Sequence, residues 1–328
     1  MLAARRFRTA RTFGTFCSAR KPLMTPATGS VTMGWLTTSN LDEFRLAAGA
    51  YLRNRGAEGT LLLTAARVIR GDQPLFGWWV TPDGAEVRGA FLHDIPAPLL
   101  IVGRVPELAA ALAPVLHRLG RDVRGVDATP ESADAFAAAW TQRTGLAARL
   151  HRHVKVYRMS GQLPDAEGPA GRARVARDED MPLLVDWLRA YGSETGDFAR
   201  DPEDVANGLV GYGGAIFWEA DGHAVALATL TKPVEHTVRI AMVYTPSSVR
   251  HRGFAAAVTV AASRAALARD GVREVLLISD RTSPVRRARS LGYEMAGERV
   301  QLKFGPPTGP MPRLTGPLAR LRGRVGHA

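Results

Sequence analysis

Residues 240–256 read Ile240-Ala-Met-Val-Tyr-Thr-Pro-Ser-Ser-Val-Arg-His-Arg-Gly-Phe-Ala-Ala256. An apolar, β-branched and aromatic run breaks at Pro246, passes through Arg250-x-x-Gly253-x-Ala255, and enters a long Ala-rich segment. Small residues between strand and helix let the backbone approach a ligand closely. The free N–H groups of the first helical turn, aided by the helix dipole, then face an anion such as a pyrophosphate. The expression alone is weak, and the chain supplies its own control. Gln142-Arg-Thr-Gly145-Leu-Ala147 also satisfies it, yet follows a predicted helix, where Gly145 reads as a C-terminal cap. Only the second copy stands between strand and helix.

Working outward, Asp178–Tyr191 has the stripe Met181, Leu184, Val185, Leu188, Tyr191 of an amphipathic helix, followed by a polar loop over Gly192–Asp204. Ala215–Glu219 and His223–Leu230 read as strands joined at Asp221-Gly222, a two-residue hairpin turn. Val238–Tyr244 is a third strand, with Arg239 and Met242 breaking its alternation. Beyond the loop, the helix runs to Asp270-Gly271, then come a strand at Glu274–Ser279, a short helix at Pro284–Ser290 and a last strand at Val300–Phe304. Gly208–Gly214 reads as a turn.

Upstream, Ser160–Gly171 is rich in Gly and Pro and reads as a linker between two domains. Before it, Ser39 or Asn40 caps a helix over Leu41–Arg53, and Thr60–Ile69, Leu75–Val80, Glu86–Leu92 and Leu99–Val102 read as strands. Helices follow at Glu107–Leu119 and from Thr129-Pro130-Glu131 through Trp140. Trp78 and Trp79 are expected in the core of this domain.

The 328 residues carry a net charge of +12, but its placement matters more than its size. Residues 1–32 hold six basic residues and no acid, and residues 305–328 hold four and no acid, which leaves +2 for the body. Such a body lacks the cation surplus that displaces counterions from a nucleic acid, so nucleic-acid binding is not expected. Both ends are expected as disordered basic segments. No stretch of 18 apolar residues occurs, so no membrane partner is expected. Cys17 is the only cysteine, which excludes an intrachain disulfide and suits a reducing, cytoplasmic location. His151 and His153 are a close pair with no third ligand evident, so no metal is expected.

With strand, loop and helix in place, residues 240–256 resemble the acyl-CoA loop of the GCN5-related N-acetyltransferases. Leu276-Leu-Ile-Ser-Asp280, Ser283-Pro284 and Ser290-Leu-Gly-Tyr293 resemble the elements that complete that fold. The resemblance covers about residues 172–304. It implies an α/β (α+β) class: a mixed, mostly antiparallel sheet flanked by helices, with two central strands splayed apart. Residues 33–159 have a comparable order of elements without the loop, so a tandem arrangement is expected. Residues 33–159 would be a degenerate copy, 160–171 the linker and 172–304 the acyl-CoA domain.

The resemblance implies that the backbone of Val243, Tyr244 and Thr245 bonds pantetheine, and that Arg250, His251, Arg252, Gly253, Phe254, Ala255 and Ala256 hold the pyrophosphate of acetyl-CoA. It implies N-acetyl transfer to a primary amine, small molecule or peptide, by direct attack. The expected base is a carboxylate: Glu219 or Asp280, with Glu194 and Asp197 in the substrate loop as further candidates. Many family members place a Tyr on the penultimate helix to reprotonate the CoA thiolate. Arg287, Ala288 and Arg289 stand in that region here, and Tyr293 is expected in the core. The missing Tyr leaves open a catalytically silent acyl-CoA-binding or sensing protein.

Overall fold

The structure, a computed structural model, describes residues 34–69, 71–161, 168–195, 201–279 and 288–307. They lie in the unit Met33–Ala328; a first unit, Met1–Thr32, which includes the expected basic extension, lies outside the described residues, as does the tail from 308 onward.

Strand β1 (Gly34–Thr38) leads to α1 (Leu41–Asn54), whose first N–H groups, of Asp42 and Glu43, donate to Asn40 Oδ1. The segment expected as a strand at Thr60–Ile69 is instead helix α2 (Gly56–Ala65). A short apolar run does not distinguish a buried strand from a buried helix by periodicity. Here Thr60 and Thr64 return their hydroxyls to carbonyls four residues back, at 2.9 and 2.7 Å, which lets the helix bury them. Then follow β2 (Leu75–Val80), β3 (Val87–His93), β4 (Leu99–Val102), α3 (Pro106–Arg118), β5 (Gly125–Ala128), α4 (Pro130–Thr144) and β6 (Ala147–Met159).

The same order then repeats, except that no counterpart of α4 is among the described residues between the last two strands: β7 (Arg172–Val175), α5 (Met181–Thr195), α6 (Pro202–Gly211), β8 (Ala215–Ala220), β9 (His223–Leu230), β10 (Thr237–Tyr244), α7 (Phe254–Leu267), β11 (Glu274–Ser279) and β12 (Glu294–Gly305). The loop expected over Gly192–Asp204 is thus shorter than its polarity suggests. α5 runs to Thr195, and Asp201 caps α6 by accepting from Glu203 N–H at 2.8 Å. Gly208 and Gly211, expected in a turn, lie inside α6, and the turn comes at Gly213, φ 64°. α7 ends at Leu267, short of the expected Asp270. Of the short helix expected at Pro284–Ser290, the described part is a 3-10 turn at Ala288–Leu291.

The strands form one mixed, mostly antiparallel sheet ordered β1-β2-β3-β4-β5-β12-β6-β11-β10-β9-β8-β7. Its order is a palindrome of the two repeats, with the last strand of each exchanged into the middle. β12 pairs with β5, β6 pairs with β11, and β6 and β12 pair with each other from Arg158/Glu294 to Ala147/Gly305. Residue 159, the boundary expected from sequence, is where β6 ends, but β6 lies across the second repeat's β11.

Helices cover both faces. α1 and α2 bury Phe44, Leu52 and Leu62 against Phe76, Trp78 and Leu92, whereas α3 and α4 bury Leu112, Leu116 and Phe136 against Phe91, Leu99 and Leu302. Trp78 joins the first of these cores and Trp79 packs against the second, as the alternation of a strand requires. In the second repeat, α7 covers one face with Val258 and Ala262, and α5 and α6 cover the other with Leu184, Leu188 and Leu209.

Candidate functional site

The parallel ladder between β10 and β11 begins at Thr237/Glu274 and stops at Ile240/Leu277. A bulge at Ala241 accounts for the broken alternation. Beyond it Met242, Val243 and Tyr244 stay paired with β9, while Ile278 and Ser279 stay paired with β6. The two central strands therefore part, leaving the backbone of Met242–Thr245 without a ladder partner on the β11 side. Thr245 is buried, and its Oγ1 finds no partner among the described residues.

After a 3-10 turn at Ser247–Val249, Gly253 takes φ 85° and caps α7. Glycine adopts that left-handed conformation without the strain a side chain brings. The cap has no side-chain hydrogen bond, and the first backbone bond of the helix runs from Ala257 N–H to Gly253 O at 3.1 Å. The N–H groups of Phe254, Ala255 and Ala256 precede it and face outward along the helix axis, the geometry of an anion cradle. Arg252 lies with its guanidinium 5.1 Å from the Phe254 ring centroid. His251, φ 65°, completes the reversal of the chain.

The Arg250 side chain is held within the protein. Its Nε donates to Thr245 O at 2.8 Å, and its Nη2 donates to both oxygens of Glu194 at 2.8 and 2.6 Å. It braces the end of β10 to the end of α5. Burial raises the phenol pKa of Tyr244, and the Glu194 carboxylate adds to the shift.

Glu219 sits on β8, separated from β10 by β9. Arg174 Nε donates to its carboxylate, as does Arg172 Nε at 3.3 Å, and the hydrogen bond from Arg174 holds the Glu219 pKa below the usual carboxylate range. Arg174 also grips Asp180 at 2.5 and 2.7 Å, so the cluster fixes β7 to the start of α5. Asp280, Asp197, Ser283 and Pro284 lie outside the described residues. Tyr293 is in the core, 2% exposed; its hydroxyl meets Ser263 Oγ at 2.6 Å, and burial pushes its pKa up to about 12. His153 faces Glu298 at 3.0 Å, and no cluster of metal-ligating residues occurs among the described residues.

In the first repeat, β4 reaches α3 through Gly103-Arg104-Val105 alone, and Pro106 at the helix start has no N–H to offer. That turn has three residues, against nine between β10 and α7 in the second repeat. Gly145 caps the C-terminus of α4 with φ 71°, donating to Thr141 O at 2.9 Å. Gly145→Glu should therefore leave acetyl-CoA binding unchanged and cost about 1 kcal/mol of stability, from the left-handed backbone. Calorimetric titration of the variant checks this, and loss of binding by the folded variant would assign a site to this copy.

No family model and no curated protein match the chain. Solved structures do. An acetyltransferase of the GNAT family from Colwellia psychrerythraea aligns at TM-score 0.58 and 13% identity, over 83% of this chain and 99% of that one. A GCN5-related N-acetyltransferase from Sphaerobacter thermophilus aligns at 0.53 and 19%, over 82% and 94%. A GCN5-related N-acetyltransferase-like protein from Streptococcus suis aligns at 0.50 and 13%, over 81% and 100%. The fold is that of the GCN5-related N-acetyltransferases, and the likeness extends through both repeats.

Proposed function

We propose that the chain is an N-acetyltransferase with one acetyl-CoA site, in the second repeat, acting on a primary amine. The observation that carries this reading is the parting of β10 from β11 directly before a glycine-capped helix. The first repeat is proposed as a copy without a working acyl-CoA site. Acetyl-CoA supplies an activated acyl carbon. Backbone groups of Met242–Thr245 orient pantetheine, and N–H groups of Gly253–Ala256 take the pyrophosphate. A backbone N–H of this strand faces the oxygen that gains charge as the amine attacks.

The amine must arrive deprotonated. Glu219, engaged by Arg172 and Arg174, is a weak base, so the role is proposed for Asp280, directly after β11, or for water. The thiolate leaves without a dedicated acid, because Tyr293 is spoken for by Ser263. That engagement favours a second reading, a silent acyl-CoA-binding protein. The two separate in a panel of amines incubated with acetyl-CoA from pH 6 to 9, reading thiol release. The enzyme reading expects slow turnover that rises with pH as the amine, of ordinary pKa near 10, loses its proton. Acetyl-CoA binding with no transfer to any amine of the panel would replace it with the sensor reading. The proposed location is the cytoplasm; no helix among the described residues is long and apolar enough to cross a membrane.

A further inference from the structure

The two repeats contain the same pair of central strands, yet their clefts differ at one matched position. β5 ends at Ala128, opposite Val300 of β12, and β11 ends at Ser279, opposite Lys155 of β6. One residue past each end stand Arg299 and Val154, which face each other as direct partners in the β6/β12 ladder. The palindromic order of the sheet makes them equivalent: each is the side chain that the exchanged strand offers to the neighbouring cleft.

The ladder between β4 and β5 stops at Leu100/Asp127, so Ile101 is the first residue of β4 beyond it, as Met242 and Val243 are beyond the bulge in β10. Arg299, 2% exposed, reaches across this opening. Its Nη2 donates to Ile101 O at 3.1 Å and to Asp127 O at 2.7 Å, and its Nε donates to Asp127 Oδ1 at 2.6 Å. Gln301 Nε2 holds the other Asp127 oxygen at 2.9 Å. One guanidinium thus bridges the carbonyls of both parted strands. The structure assigns Arg299 as the plug that closes the first repeat's acyl cleft, and Val154, its counterpart, as the residue that leaves the second cleft open.

The plug explains a buried charge in a central strand. It also decides which repeat takes acyl-CoA, a statement that rests on the proposed acetyl-CoA site. Because Arg299 comes from the last strand of the second repeat, the first cleft is closed only when the exchanged strand is in place. A valine there has no atom that could span two strands and no donor for the orphaned carbonyls.

Two measurements on the full chain test this. Val154→Arg carries the plug into the second cleft and should weaken acetyl-CoA binding at least tenfold by calorimetry, with the folded circular dichroism spectrum kept. A folded variant that binds like the unaltered chain overturns the assignment. If the unaltered chain binds no acetyl-CoA, the proposed function fails and the plug is judged by the second measurement alone. The second measurement also decides if Val154→Arg does not fold. Arg299→Ala should melt about 10 °C lower. Ethylguanidinium at tens of millimolar should restore part of that loss by entering the vacated cleft, whereas ethylammonium, lacking the planar fork, should not. An unchanged melting temperature, or equal effects of the two cations, overturns the plug.

Discussion

Gly253→Glu lowers the affinity for acetyl-CoA at least 100-fold, measured by calorimetry on the folded chain. Two effects act together. The residue holds φ 85°, so any side chain there costs about 1–2 kcal/mol of backbone strain. The larger effect is the charge. A carboxylate about 5 Å from one phosphate charge, at an effective dielectric near 20, repels it by about 3 kcal/mol, roughly 200-fold in affinity. Space is not the obstacle, since a Cβ at Gly253 would lie 3.6 Å from Pro169 Cδ, an ordinary contact. Gly253→Ala therefore isolates the strain and should cost about 30-fold or less. Unchanged affinity in Gly253→Glu would remove the anion cradle from α7, and with it the proposed acetyl-CoA site.

The element that carries this prediction was readable because its physics is local. A strand, Pro246, Gly253 and an Ala-rich helix follow one another within 30 residues, and the structure places the cap at Gly253 where the spacing expects it. The same holds for Asn40, for Gly145 and for the Asp221-Gly222 hairpin, where both residues take positive φ. What the sequence hid was pairing at long range. The exchange of β6 and β12 depends on contacts between residues some 150 positions apart, and no local pattern records it. Arg299 illustrates the consequence. In sequence it is one charged residue among Glu298, Arg299 and Gln301, indistinguishable from a solvated strand face. Its partner Asp127 lies 172 residues away, and only the exchanged strand makes the pair interior. The partners of Arg250 were hidden in the same way: its guanidinium is held by Thr245 O and by Glu194, 56 residues upstream, and the motif records neither.

A buried histidine at the end of β3 sets the acid limit of the fold. His93 ends β3, 1% exposed, and Arg121 Nε donates to its Nδ1 at 3.1 Å. That bond requires a bare Nδ1, so the ring is neutral with its proton on Nε2. Burial, reinforced by the Arg121 charge, lowers its pKa to about 4, from 6.5 in the unfolded chain. The unfolded state therefore binds a proton that the folded state refuses. Stability contributed by the neutral ring is complete above pH 6.5 and is lost as pH falls toward 4. With each pKa unit worth about 1.4 kcal/mol, the loss by pH 4 is about 3 kcal/mol, a large share of the roughly 5–15 kcal/mol that holds a typical domain folded. Urea unfolding at pH 7 and at pH 4.5 should show most of this difference. His93→Gln keeps an acceptor for Arg121 but has no proton to gain. It should be less stable than the unaltered chain at pH 7 because the fit is poorer, yet lose less stability between the two pH values. An equal loss in both proteins would move the acid sensitivity away from His93 and onto the carboxylates, whose protonation weakens ion pairs such as Glu219 with Arg174.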